Sequence, residues 1–290
     1  MKKIIATFIC SICLIVSVLA QEFGYGFKVG LSQNSLQTEQ LRDGETYDTN
    51  TGFHVGAMIS YKATELMGVR AELLFAQKGG RIRFEGEDLL PIDNVDTDRF
   101  YMIGENSKTL NLALAYVEVP LVFYVRPIEW FEFHAGGYAS FLGAATAVGQ
   151  LTSTDARFIN SSSNSRYDYN YNLTHDYRKD EPRQATYTSG QVIAEGLGRY
   201  PVPDDAGAYF HLTEDYGNLY NAVDLGLVGG VSFYINKGLF VGLRADYGLT
   251  DVTNSEADRV PVLTGSTVEL PTRDDEDKNL SLQLSIGFNF

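Results

Sequence analysis

The feature that most constrains the fold is a strict alternation over the last twelve residues, Asn279 to Phe290. Every even position from Leu280 onward is apolar, and every odd position is small or polar. A period of two places the two sets on opposite faces of a β-strand. On an edge strand of a soluble sheet this pattern favours aggregation, whereas a transmembrane β-barrel requires it, with apolar side chains toward lipid. The segment therefore predicts a membrane-spanning strand.

Seven earlier segments repeat this alternation, and most are near the length of about ten residues that a tilted strand needs to cross a bilayer. They are Gly24–Ser32, Gly52–Tyr61, Met67–Lys78, Leu110–Val125, Phe131–Ala145, Ala222–Tyr234 and Leu239–Leu249. In the fourth segment, Leu110, Leu112 and Leu114 alternate on the opposite parity from Val117, which suggests a β-bulge before Tyr116. Together the segments predict an all-β fold, an eight-stranded antiparallel up-and-down transmembrane β-barrel with long extracellular loops.

The connections between these segments alternate in length. The short ones span 62–66, 126–130 and 235–238, and the long ones span 33–51, 79–109, 146–219 and 250–278. Short periplasmic turns and long outer loops are typical of outer-membrane barrels. A soluble barrel of the lipocalin type is the alternative, because it shows the same alternation with its apolar face inward. Balanced charges on the polar face, and aromatic residues such as Trp130 beside the short turns, favour the membrane barrel.

Residues 1–20 have the pattern of a cleaved signal peptide. Lys2 and Lys3 precede an apolar run, and a small-residue cleavage site ends at Ala20. An uncleaved membrane anchor is the alternative. Cleavage leaves 21–290 as an outer-membrane β-barrel domain with a long extracellular loop at 146–219. Both cysteines lie in the signal, so we expect no disulfide and no thiolate metal site in the mature chain.

The chain is strongly acidic, with a formal net charge of −14 that becomes −16 without the two signal lysines. Nucleic acid is excluded as a partner because its recognition needs a basic surface. The four long connections carry charges of −3, −3, −4 and −5, so the acidity is expected outside the membrane. The run Asp274–Asp277 could hold a divalent cation, but it lacks the spaced ligands of a calcium loop. We therefore predict a solvated acidic loop, no metal site and no cofactor.

Charged residues on the polar face of the strands are expected to meet in the lumen. An eight-stranded barrel is just wide enough for side chains to fill it. Balanced charges there predict a salt-bridged plug, and a narrow or gated diffusion pore is the alternative. The predicted lumen network consists of Lys28, Arg70, Glu72, Lys78, Glu118, Glu132, Asp224, Arg244 and Asp246.

Catalysis would most plausibly involve one of the four histidines. His54 and His134 are predicted to point inward on strands, and His175 and His211 lie in the longest connection. Some outer-membrane barrels use such a residue near the rim. No hydrolase or zinc-protease motif accompanies these four, so we predict no catalytic residue and no enzyme activity.

The longest connection, 146–219, has the composition of a binding loop. It holds eight of the eighteen tyrosines, together with many serine and asparagine residues. Tyrosine supplies rigid contact area, and the small polar residues supply adaptable hydrogen bonds. The candidate binding residues are Tyr167, Tyr169, Tyr171, Tyr177 and Tyr187. An envelope protein or a glycan is the predicted partner, and a partly disordered loop that shields the barrel is the alternative.

Several strand motifs resemble a known family. They are Gly-Phe-Lys-Val-Gly-Leu at 26–31, Tyr-Val-Glu-Val-Pro-Leu at 116–121, Gly-Gly-Tyr-Ala-Ser-Phe-Leu-Gly at 136–143 and Gly-Leu-Phe-Val-Gly-Leu-Arg at 238–244. Such motifs are similar to those of the PorT-like "porin family" of outer-membrane β-barrel proteins in Gram-negative bacteria. The resemblance implies an integral outer-membrane barrel and does not extend to 146–219.

The sequence thus predicts a monomeric barrel in contact with outer-membrane lipid and lipopolysaccharide. Its expected role is non-enzymatic: binding through the outer loops, or service as the barrel subunit of an envelope complex.

Overall fold

The computed structural model of the chain describes residues 23–38, 41–94, 98–196, 198–273 and 275–290. The predicted signal peptide and Asp274 of the acidic run lie outside these residues. Among the described residues, no helix is long and apolar enough to cross a membrane. The strands in this part of the chain are β1 (Phe23–Thr38), β2 (Glu45–Asp48), β3 (Asn50–Lys62), β4 (Met67–Asp93), β5 (Arg99–Ile128), β6 (Phe131–Phe158), β7 (Tyr167–Asp176), β8 (Ala185–Thr186), β9 (Val192–Glu195), β10 (Gly198–Pro201), β11 (Asp205–Ala206), β12 (Val223–Tyr234), β13 (Leu239–Gly248), β14 (Val262–Thr264), β15 (Thr267–Glu269) and β16 (Asp277–Asn289).

Eight of these strands pair with one another in a cycle. Proceeding from β1, the antiparallel pairings run through β3, β4, β5, β6, β12, β13 and β16, and β16 pairs again with β1. The cycle includes the eight segments that alternation predicts. The chain leaves it after β6 and rejoins it at β12, so β7 to β11 belong to the longest connection.

The outward face of the cycle carries a band of exposed apolar side chains. On β16, for example, Leu282, Leu284 and Ile286 are 50%, 56% and 56% exposed. So large an apolar surface fits lipid and not water. Toward the long connections, the band ends at Leu31, Phe53, Phe75, Val117, Phe141, Val223, Leu249 and Leu280.

Beyond the band, β4, β5 and β6 continue, and their alternation is inverted. Along β4, Ile82 and Phe84 point inward, whereas Arg83 and Glu85 are exposed on the outer face. The strands β4 and β5 occupy most of 79–109, the range predicted as a long connection, and so extend beyond their predicted bounds. The inversion has a simple physical cause: this part of the wall meets water outside, and its apolar residues pack inside.

The structure confirms an irregularity before Tyr116, but the inward face of β5 does not change there. Leu110, Leu112 and Leu114 are buried on the inward face, on the same parity as Tyr116. The register between β5 and β6 does shift between Ala115 and Tyr116, but the inward parity of β5 does not change. The leucines break the earlier pattern because apolar side chains move from the outer to the inner face where the lipid band ends.

The parts of the chain beyond the band form one unit. We call it the loop lobe, and it consists of the described residues of 34–50, 77–115, 142–222 and 250–278. β7 extends its wall by pairing with β6, and β11 pairs with β7 and β8. All four long connections contribute to its apolar core, which includes Leu36, Leu90, Leu112, Tyr171, Tyr177, Tyr209, Phe210 and Val252. The lobe therefore has a hydrophobic interior of its own.

Candidate functional site

Arg244 on β13 is the centre of a buried ion-pair network in the lumen. Its guanidinium nitrogens lie 2.9 Å from Glu72, 2.7 Å from Glu118 and 2.8 Å from Asp246. None of these four residues is more than 5% exposed. They meet because inward positions on different strands of a narrow barrel face the same interior.

Two lysines extend this network. The Lys78 ammonium lies 2.7 Å from Glu118 and 3.4 Å from Asp224, and Lys28 pairs with Glu72. The network therefore joins seven of the nine charged residues that strand parity assigns to the lumen. Every carboxylate in it lies within reach of a cation, which is the arrangement that makes buried charge tolerable.

The other two residues, Arg70 and Glu132, pair at 2.7 Å nearer the short turns. Arg126 joins them, 2.9 Å from Glu132 and 3.8 Å from the ring centre of Tyr234. Sequence reasoning placed Arg126 in a short connection and missed this role. Even-numbered residues of β5 point inward, so continuing this pattern one step past Tyr124 would have assigned Arg126 to the lumen. With Arg126, five cations face five carboxylates in the lumen.

The lumen histidines fill space beside these charges. His54 is fully buried, and its Nε2 lies 2.8 Å from the Ser285 hydroxyl. Its Nδ1 has no hydrogen-bond partner among the described residues, so no carboxylate orients the ring as in a catalytic triad. The space left between Lys28, Arg70 and His134 is about 10 Å³. That is roughly the room for one water molecule, and no substrate could reach His54 through it.

The loop lobe, in contrast, encloses a cavity of about 210 Å³. All four long connections line it, with Leu36, Phe84, Leu173, Tyr220 and Val260 among the apolar residues. A concave, mainly apolar site with a few convergent polar groups is the usual form of a small-molecule site. The cavity is therefore the candidate functional site of the part of the chain that the structure describes.

Lys108 brings a cation to the cavity wall, beside two neutral histidines. Burial and the charge of Lys108 lower the pKa of His175 to about 3 and that of His211 to about 4. The Nδ1 atom of His175 lies 3.0 Å from the Tyr177 hydroxyl, and Nε2 of His211 lies 3.0 Å from the Arg259 carbonyl oxygen. Sequence reasoning did not single out Lys108, because it assigned 79–109 to a loop without strand parity.

Carboxylates also line the cavity. Arg273 lies 3.2 Å from Glu45 and 3.9 Å from Asp258. Burial raises the pKa of Asp258 to about 6. Burial and the neighbouring Asp275 raise the pKa of Asp277 to about 7. The carboxyl of Asp277 is thus protonated in about half of the molecules at neutral pH.

The five predicted binding tyrosines occupy different environments. Tyr171 and Tyr177 are 5% and 4% exposed, and they line the cavity from the lobe core. Tyr169 is half-buried and stacks on Tyr171. Tyr167 is also half-buried, and its hydroxyl donates to Glu195. Tyr187 is 42% exposed and is the one member of the five that presents a large surface to solvent.

The arrangement of the described residues supports binding in the cavity. Among the residues that the structure describes, no group of three or more His, Cys, Asp or Glu side chains could hold a metal ion. The cavity offers one ammonium, two neutral imidazoles and an apolar lining beside its arginine-paired carboxylates, which together suit a small amphipathic molecule.

Comparison of the sequence with models of known protein families identifies one family that matches most of the chain. The family described as outer membrane protein beta-barrel domain matches residues 19–254. No curated protein matches the sequence significantly.

Several solved structures are distantly similar. The attachment invasion locus protein Ail of Yersinia pestis, in complex with the heparin analogue sucrose octasulfate, is 12% identical, with a TM-score of 0.36 over 93% of this chain and 99% of that chain. Neisserial surface protein A is 7% identical, with a TM-score of 0.36 over 92% and 97%. The Escherichia coli outer membrane protease OmpT is 9% identical, with a TM-score of 0.31 over 92% and 96%. Similarities this distant do not indicate what the chain binds.

Proposed function

Because this chain belongs to the outer membrane protein beta-barrel domain family, we propose that it is a non-enzymatic binding protein, anchored by its barrel and binding ligands in its loop lobe. The family places it in the outer membrane as an integral protein. The observation that carries the proposal is the contrast between a lumen filled by ion pairs and a lobe that holds a cavity of about 210 Å³. A binding role uses the cavity and needs no path through the membrane.

The cycle of strand pairings supports an eight-stranded, up-and-down barrel that acts as a monomer. With β16 paired to β1, the cycle leaves no strand edge for a second copy. We place the long connections outside the cell and the short turns in the periplasm, since that is the common arrangement of such barrels. Outer-membrane lipid and lipopolysaccharide then surround the apolar band.

The strand motifs favour a PorT-like member of the family, and we carry this finer assignment as part of the proposal. An envelope protein or a glycan remains the macromolecular alternative as a partner of the lobe. Its contact surface would be the outer face of the lobe, where Tyr187 and Val192 are exposed. Crosslinking in cells, with mass spectrometry of the products, would identify such a partner.

Titration calorimetry with 2-naphthol, a neutral aromatic molecule, tests the binding role in the purified full-length protein. We expect binding with the wild type and strong weakening in Leu219→Trp, because Leu219 lines the cavity and the larger ring fills it. The control is Leu263→Trp, on the exposed hairpin of β14 and β15. Equal binding by all three proteins would place the probe elsewhere and contradict the proposal.

A further inference from the structure

Lys108 lies in an apolar stretch of the lobe wall. On β5 it points to the interior, two residues from Leu110. Its cross-strand neighbours are Phe84 on β4 and Leu151 on β6, and Leu151 in turn pairs with Tyr171 on β7. The ammonium group is thus carried into the cavity by a surface that is otherwise aliphatic and aromatic.

The other cations of the cavity lining already have partners. Arg42 forms a bidentate ion pair with Asp88, with N···O distances of 2.6 and 3.2 Å. Arg273 forms ion pairs with Glu45 and Asp275. Arg259 donates a hydrogen bond to the carbonyl oxygen of Leu270 at 2.8 Å.

Lys108 differs from these three arginines. Within the described residues, no carboxylate lies within 4.0 Å of its ammonium and no acceptor is within hydrogen-bonding distance. Burial lowers the pKa of Lys108, while the more distant charges of Asp88 and Glu45 oppose that shift. Lys108 is half-buried and lines the cavity, so its unpaired ammonium faces the space that a ligand would occupy, and an anion bound there would pair with it.

We propose that the cavity binds a small organic anion with an apolar body, such as an aryl or alkyl carboxylate, and that its carboxylate pairs with Lys108. The inference rests on the proposed binding function and specifies its ligand class. Leu173, Phe210 and Tyr220 surround the apolar body. His175 and His211 are neutral and can donate or accept a hydrogen bond beside the ligand's oxygen atoms.

The remaining acidic groups do not prevent such binding. Asp88 pairs with Arg42, and Glu45 and Asp258 share Arg273. Asp277 is protonated part of the time at neutral pH. A small cation is the opposite ligand class, and the comparison of charged and neutral probes distinguishes the two.

The test compares 2-naphthoate with 2-naphthamide, which have nearly the same shape and differ in charge. Binding of each to the full-length protein in nanodiscs is measured by calorimetry, with empty nanodiscs as the background. We expect the carboxylate to bind at least about tenfold more tightly than the amide, since an ion pair with the Lys108 ammonium favours the charged form. In Lys108→Met this ratio should fall to about one, while binding of the amide is retained.

The matched control is Lys179→Met, which removes a lysine with an 82% exposed side chain in the same lobe, and it should leave the ratio unchanged. Lys108→Arg keeps the positive charge, so this variant should still bind the carboxylate more tightly than the amide. If Lys108→Met fails to fold, Lys108→Gln takes its place. Equal binding of carboxylate and amide by the wild type would overturn the ligand class and leave the binding function intact. Binding of neither probe, together with a negative 2-naphthol titration, would overturn both.

Discussion

At the scale of single residues, Arg244 has the largest share in holding the lumen together. It contacts three carboxylates that are each almost completely buried. A buried ion pair adds little net stability over a well-packed apolar pair, yet removing one partner leaves an uncompensated charge. Replacing the whole network by apolar residues would therefore change the stability of the protein little, whereas loss of Arg244 alone would lower it.

We expect Arg244→Met to destabilise the protein by about 3–5 kcal/mol, since Glu72, Glu118 and Asp246 lose their shared partner. Urea unfolding in detergent micelles, followed by tryptophan fluorescence, measures this change. The control is Arg83→Met, which breaks a surface pair with Asp48 whose side chains are 47% and 44% exposed. That variant should change stability by no more than about 1 kcal/mol. Similar losses in the two variants would contradict a special role for the buried network.

The titratable groups of the lobe change its stability with pH in opposite directions. Asp277 has a folded pKa of about 7 against an ordinary value of 3.8, so the folded state holds its proton longer and stability falls as pH rises through about 7. Asp258 acts in the same direction at lower pH. His175 and His211 act oppositely, because their folded pKa values lie below the ordinary 6.5 and stability is lost as pH falls below it.

In Asp277→Asn we expect the contribution of this carboxyl to the pH dependence to disappear. Between about pH 6 and about pH 8 the stability of the wild-type lobe should fall by about 1 kcal/mol relative to that of the variant. Hydrogen exchange of the β7 amides, corrected for the intrinsic effect of pH, reports this local stability. Asp43→Asn, an exposed change in the same lobe, serves as the control. An unchanged dependence of stability on pH in Asp277→Asn would show that this carboxyl does not contribute to it.

Sequence reasoning at this scale depends on strand parity and reaches only as far as the strand bounds that it assigns. The lumen charges can be assigned from the sequence because their strands alternate without interruption. Arg126 and Lys108 lie on the same inward parity of β5, just beyond the limits that were set for the predicted strand. The burial of Tyr171 and Tyr177 could not be inferred from composition, because a binding loop and a folded core both favour tyrosine.

At the scale of elements, the inversion of the alternation along β4, β5 and β6 explains the main error in the predicted fold. A rule that apolar residues face outward holds only while the outside is lipid. Beyond Phe75 and Val117 the same strands obey the rule of a soluble barrel, so a search for one pattern ends each strand too early. The three leucines of β5 at 110–114 mark this change of surroundings in the sequence.

Gly79 lies where β4 passes from the band into the lobe, and its φ of 122° is accessible to few residues other than glycine. A Cβ at this position would also collide with the carbonyl oxygen of Leu112 on β5. We expect Gly79→Ala to destabilise the lobe by about 1–3 kcal/mol and to speed its proteolysis, while the barrel stays heat-modifiable on a gel. Gly229→Ala on β12 is the control, since its Cβ would meet no atom within 4 Å. Equal protease resistance of the two variants would contradict this role for Gly79.

At the scale of the whole molecule, ion-paired side chains fill much of the lumen that the structure describes. Five cations and five carboxylates occupy its lumen, and the remaining space near His134 is about 10 Å³. We therefore expect no steady conductance when the full-length protein, folded as judged by its gel mobility, is reconstituted in planar bilayers. Reproducible single-channel steps would favour the narrow diffusion pore over the binding protein.

The shared core of the loop lobe has a consequence for how such a protein can vary. Loops on a surface protein usually accept substitutions and insertions one at a time, because each is solvated on its own. Here Leu36, Leu90, Tyr209 and Val252 come from four different connections and pack in one cluster. A change in one loop therefore alters the surroundings of the other three. Descendants of this chain would have to diversify their outer surface through its solvent-facing positions while keeping four distant stretches of sequence matched to one another.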